Sequence, residues 1–150
     1  MLVGSGDVSL PDVRVVKRDW SEATEVSEIR DFDVGIMPLP DTPWARGKCG
    51  FKLIQCMACA VPVVASPVGV NARLVDEGVN GFLAADTAQW TKALERLRAD
   101  PALRERMGLE GRSKVERGYS LRVVGPRVTD LLRRAASEAV PRAAARRERF

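Results

Sequence analysis

The stretch from Arg46 to Asn71, RGKCGFKLIQCMACAVPVVASPVGVN, holds the residues whose types and spacing can do chemistry. No Asp or Glu lies between Asp41 and Asp76, yet Arg46, Lys48, Lys52 and Arg73 all fall inside that interval. Three of these cations crowd the front of an apolar segment, residues 50–60, which reads as a buried helix opened by a glycine. A helix N-terminus presents unpaired N–H groups and a positive dipole end, so it favours Asp or Glu in its first turn. Lys52 stands there instead, at a cost of about 0.3–1 kcal/mol unless something negative sits opposite. A phosphate or diphosphate is such a group. Gly47 and Gly50 let the backbone come close to it, and Lys48, Lys52 and the amides of Gly50 and Phe51 are the groups to hold its oxygens. The competing reading is a solvated basic loop before an ordinary core helix.

Composition narrows the chemistry further. The chain has no histidine, which removes Ser-His-Asp and Cys-His catalysis and His-containing zinc sites. Cys56 and Cys59 form a C-x-x-C, but toward the end of the apolar helix, where core packing explains them better than redox or metal chemistry. With Cys49 they make three cysteines, one ligand short of a tetrahedral site, and no metal is expected. The formal charge of +4 is a property of the end of the chain, where six arginines face Glu138 and Glu148 from Arg133 onward. That end reads as a basic, fraying tail, with a nucleic-acid contact as its weaker reading. No apolar run approaches the length of a membrane span and no signal pattern opens the chain, so a cytoplasmic protein is expected.

The elements that must position the basic helix follow from periodicity. A strand is expected at Val13, Val15 and Val16. Ser21 reads as an N-cap before a helix with an apolar line at Val26, Ile29 and Phe32. Residues 33–39, DVGIMPL, read as the next strand, stopped by prolines, with a loop over 41–49. A strand at 62–65, a short helix at 72–77 and a strand at 81–84 come after the basic helix. Asp86 or Thr87 caps a helix with Trp90, Ala93, Leu94 and Leu97 inward, and Asp100-Pro101 opens another with Leu103 and Met107 inward. A last helix, lined by Val124, Val128, Leu131, Leu132 and Ala135, should kink or restart at Pro126. Alternating apolar strands and helices predict an α/β fold, a Rossmann-like parallel sheet flanked by helices, with further helices at the C-terminal end. Ligands of such sheets sit beyond the carboxyl ends of the strands, where the loops flanking the basic helix lie. Gly4-Ser5-Gly6 fails as a dinucleotide fingerprint, lacking its third glycine and a following helix.

The run DVGIMPLPDTPWARGKCGFKLIQCMACAVPVVASPVGVN, then LVDEGVNGFLA and DPALRERMGLEGRSKVERGYS, resembles the C-terminal, nucleotide-sugar-binding domain of family-4 retaining glycosyltransferases of the GT-B fold. The likeness spans residues 13–135. It implies a donor-binding domain over 1–135, followed by the tail over 136–150, in a parent enzyme that transfers a sugar from a nucleoside-diphosphate sugar to an acceptor hydroxyl. It also implies that the acceptor-binding lobe and the first strand and helix of the donor lobe are absent here. The interlobe face left exposed would favour self-association. The family's E-x7-E maps onto Gly47 and Gln55, so both glutamates are missing and no residue is assigned a catalytic role. Gln55 would accept from ribose through its amide oxygen. Trp20 and Ser21 would border the base, and Gly47 and Asn71 the sugar. The donor is a co-substrate and no further cofactor is implied. The alternative is a module that binds nucleotide without turnover.

Overall fold

The computed structural model describes residues 2–3, 9 and 11–147, with side chains for 9 and 11–137. Gly4, Ser5 and Gly6 and the last residues of the basic tail lie outside them. Two short parallel strands, β1 (Leu2–Val3) and β2 (Lys17–Arg18), pair Leu2 with Lys17. Then α1 (Glu25–Arg30) leads into β3 (Gly35–Met37), and α2 (Pro43–Arg46) and α3 (Phe51–Ala58) lead into β4 (Val63–Ala65). After α4 (Asn71–Leu74) and β5 (Gly81–Leu83) come α5 (Thr87–Ala99), α6 (Pro101–Gly118) and α7 (Leu121–Arg147). The chain forms two compact units that part after Val115.

In the first unit β3, β4 and β5 make a parallel sheet in that order, with Gly35 beside Val63 and Val63 beside Gly81. Its middle strand, Val63-Val64-Ala65, is fully buried, as a continuous apolar run between two covered faces must be. Successive side chains point to opposite faces. Val63 and Ala65 therefore pack with Leu53 and Met57 of α3 and with Leu74. Val64 packs with Phe82 of β5 and with Ala93, Leu97, Leu103 and Met107 on the inward faces of α5 and α6. Asp86 Oδ1 accepts from Gln89 N at 2.8 Å, and Asp100 Oδ1 from Leu103 N at 2.9 Å, so both expected caps are in place.

The structure departs from the sequence reading in several places. Val13 and Val16 are exposed, and the strand lies one step later at Lys17–Arg18, where β1 supplies a partner ladder. Ser21 does not cap α1 directly. It closes a preceding turn, accepting from Thr24 N through its hydroxyl, and α1 begins at Glu25. That short helix turns Glu28 inward to meet Arg18 at 2.9 Å and leaves Val26 exposed. In the second unit α7 passes Pro126 without the expected restart. Proline removes a single amide donor, while Val124 N to Ser120 O at 2.9 Å and Thr129 Oγ1 to Gly125 O at 3.0 Å hold the turns on either side. Val128, Leu131 and Leu132 on α7 are exposed.

The turn after α3 gives a first test. Ala60 sits in the left-handed region at φ 59°, a conformation that costs a β-carbon about 1–2 kcal/mol and that glycine adopts freely. After the extra chain entropy glycine loses on folding, Ala60→Gly is expected to raise stability by about 0.5–1 kcal/mol, read as a higher denaturant midpoint. A lowered midpoint would contradict it.

Candidate functional site

The site is built at the start of α3. Gly50, its N-cap, has φ 68° and is buried against Leu74 and Val70, so a residue without a side chain is required there. Its carbonyl accepts from Leu53 N at 3.0 Å and Ile54 N at 3.3 Å. The amides of Phe51 and Lys52 have no acceptor among the described residues. A cavity of about 540 Å³ opens there, lined by Met37, Pro43, Trp44, Gly47, Lys48, Cys49, Gly50, Phe51 and Lys52. All of the expected diphosphate residues, and Gly47, share this one cavity.

The charge count needs one correction. Arg46 does not line the cavity, because α2, which the sequence reading left as loop, turns it onto Asp41. Thr42 caps α2 by accepting from Ala45 N at 3.2 Å, and Arg46 donates to Asp41 Oδ1 at 2.6 Å and Oδ2 at 2.9 Å. This fork holds the Asp41 carboxyl below its usual range and raises the guanidinium. Lys48 and Lys52 form no ion pair among the described residues and remain the mobile cations of the cavity.

A second cavity, about 530 Å³, is lined by residues including Trp20, Glu25, Ile29, Phe32, Gly35, Lys52, Gln55 and Cys56. Lys52 lines both, so the two spaces adjoin at the first turn of α3. Trp20 Nε1 donates to Glu25 Oε1 at 3.0 Å. That indole, then the Gln55 side chain, and more weakly the Lys52 charge, hold the Glu25 carboxyl below its usual range against slight desolvation. Sequence reasoning missed Glu25, since an acid in the first turn of a helix already has an ordinary electrostatic explanation.

Two expected residues are not brought to either cavity. Ser21 is spent on the turn before α1, and Asn71 is 1% exposed, with Nδ2 donating to Ser66 O at 3.2 Å. Asn71 braces the loop after β4 through Nδ2, and its buried Oδ1 has no partner among the described residues. Burial, with a smaller effect of Cys59, pushes the Cys56 thiol up to about 11, so it packs as a neutral group. Among the described residues no cluster of His, Cys, Asp or Glu is placed to hold a metal, and no helix is long and apolar enough to cross a membrane.

A family model, glycosyl transferases group 1, matches residues 3–100, which include the residues lining both cavities. The chain belongs to this family. As a group 1 glycosyl transferase chain it is 33% identical over 96 residues to alpha-maltose-1-phosphate synthase of Mycobacterium tuberculosis, an alignment covering 59% of this chain and 25% of that protein. Among solved structures it is similar to sucrose-phosphate synthase from Thermosynechococcus elongatus, with TM-score 0.68 and 24% identity over 83% of this chain and 31% of that one. It is also similar to Anabaena HepE solved with UDP and glucose, with TM-score 0.66 and 19% identity over 81% of this chain and 32% of that one. These neighbours share the GT-B type of fold expected from the sequence. The chain spans about a quarter of the curated relative and a third of the structural neighbours.

Proposed function

We propose that this chain binds the donor of a glycosyl transfer: a nucleoside-diphosphate sugar, whose diphosphate lies on the open amides of Phe51 and Lys52 between the Lys48 and Lys52 ammonium groups. The observation that carries the reading is this helix start, with a cation in its first turn, unpaired amides and no acid among the residues lining the first cavity. The nucleoside extends past Lys52 into the second cavity, toward Trp20 and Gln55. The parent enzyme transfers the sugar to an acceptor hydroxyl with retention of configuration. Charge grows on the departing diphosphate in that reaction, and a fixed donor aimed at such charge is worth about 3–4 kcal/mol of barrier. No metal enters this account.

A second reading is a nucleotide-binding module without turnover, favoured by Gly47 and Gln55 standing where the resembled family carries its two glutamates. Bringing donor and acceptor together is worth about 7–11 kcal/mol, and an acceptor-binding lobe is the partner expected to supply it. Sugar transfer that appears only on adding such a lobe supports donor binding as the role of this chain.

The test of the site itself is a calorimetric titration with uridine, guanosine and adenosine diphosphates. One of them is expected to bind, and Lys52→Ala to weaken it about tenfold, the loss of one charge-assisted contact of about 1.4 kcal/mol. Equal affinity of wild type and variant would remove Lys52 from the site.

A further inference from the structure

The second cavity holds a carboxylate that no cation of the described residues pairs within ion-pair distance. Four acids line it, Glu25, Glu28, Asp31 and Asp33. Arg18 lies 2.9 Å from Glu28 and 3.8 Å from Asp31, and Arg104 lies 3.5 Å from Asp33. Glu25 alone among them has no basic partner within ion-pair distance among the described residues. Its Oε1 instead accepts the indole N–H of Trp20 at 3.0 Å, a neutral donor that fixes the carboxylate without cancelling its charge. Gln55 faces the same carboxylate from the second turn of α3.

A carboxylate offers acceptor sites only, about four lone pairs on two oxygens. With one of them on Trp20 and another facing the Gln55 amide, the others are open to a ligand that brings hydroxyl donors. An amide turned toward a carboxylate presents its N–H groups to it and leaves its own oxygen as a further acceptor. The vicinal hydroxyls of a ribose are a pair of donors of matching chemistry. They would lie one helical turn beyond the diphosphate.

We infer that Glu25 is the ribose-diol acceptor of this site, with Trp20 and Gln55 as its positioning residues. The inference rests on the donor-binding reading above and assigns to α1 a carboxylate function that α3, with Gln55, does not carry. It also makes Glu25 a specificity residue, since it selects ribonucleotides over analogues lacking the diol.

The experiment titrates the full chain with the nucleoside diphosphate that binds and with its 2′,3′-dideoxy counterpart. The proteins compared are wild type, Glu25→Gln, and the exchange Glu25→Gln with Gln55→Glu, and thermal unfolding is followed in parallel. Wild type is expected to prefer the ribonucleotide about tenfold, the loss expected when a charge-assisted hydrogen bond goes unmade. Glu25→Gln should reduce the preference to about twofold, mainly by weakening the ribonucleotide, with the unfolding midpoint little changed. The exchange should restore it, by returning a carboxylate to the ribose from α3. A Glu25→Gln protein that keeps the full preference, or that loses ribo and dideoxy binding equally, overturns the inference and shows Glu25 to be a tie between α1 and α3. An exchange variant with no preference overturns it as well. Wild type that binds both analogues alike overturns it while leaving donor binding intact. Wild type that binds none of the three diphosphates overturns the donor-binding reading, and the inference falls with it.

Discussion

Gly50→Ala is expected to destabilise the protein by about 2–4 kcal/mol and to abolish nucleotide binding at concentrations that saturate wild type. The conformational part is direct, because φ is 68° there and an L side chain in that region costs about 1–2 kcal/mol. The packing part adds to it. A β-carbon on Gly50 would overlap Leu74 Cδ1 and come within 3.0 Å of Val70 Cγ1, and Leu74 is fully buried with nowhere to turn. Overpacking of this kind costs about 1–3 kcal/mol. The protein relieves the clash by shifting the start of α3, which carries the Phe51 and Lys52 amides away from any anion between Lys48 and Lys52. Binding should therefore fall by more than the loss of folded protein accounts for. Urea unfolding and a diphosphate titration on the same sample check both halves. A variant with the wild-type midpoint would show that Gly50 has room the structure does not give it.

The legible part of this molecule is the part where one pattern has one physical cause. The middle strand was readable because Val63-Val64-Ala65 is an unbroken apolar run, and only a strand covered on both faces needs one. Asp86 and Asp100 were readable as caps because each stands just before an apolar period. Thr42-Pro43 carries the same cap-then-proline signal as Asp100-Pro101, yet no apolar period follows it, so α2 was read as loop and the Asp41 to Arg46 fork went unseen. Valine spacing at 13–16 and at Val26 shows preference for burial but not what covers it, and all but Val15 are left exposed. The exposed Val128, Leu131 and Leu132 of α7 make the same point: helical spacing defines a face, not its partner. At the site, Lys48 and Lys52, which line one cavity, stood out through an absence, the missing acids between Asp41 and Asp76. The burial of Asn71 on Ser66 was not legible, because a turn asparagine looks alike whether it points outward or inward. Glu25 was invisible for a different reason: its role depends on a contact with Gln55, thirty residues on, that no local pattern encodes.

The other end of α3 is pinned as tightly as its start, and Gly108→Ala is expected to cost about 3 kcal/mol or more. Gly108 is buried on α6, and a β-carbon there would run into the Ala60 carbonyl, coming within 2.7 Å of its carbon. Backbone cannot rotate aside as a side chain does. Ala60 is further constrained, since its φ of 59° already closes the turn that sends the chain into β4. One turn along α6, Gly111 faces Met57 Cγ, where a β-carbon would lie 2.9 Å away, so α6 cannot slide past α3 without a second clash. The variant must then separate the two helices and open a gap beside Met57 and Met107, both almost fully buried. Gly118→Ala is the matched control: nothing lies within 4 Å of its β-carbon, and alanine in a helix is favoured over glycine by about 0.5–1 kcal/mol. Denaturation of the two proteins side by side should move their midpoints in opposite directions. If Gly108→Ala unfolds at the wild-type midpoint, α6 does not bear on Ala60, and the orientation of α3 must be set from the Gly50 end alone.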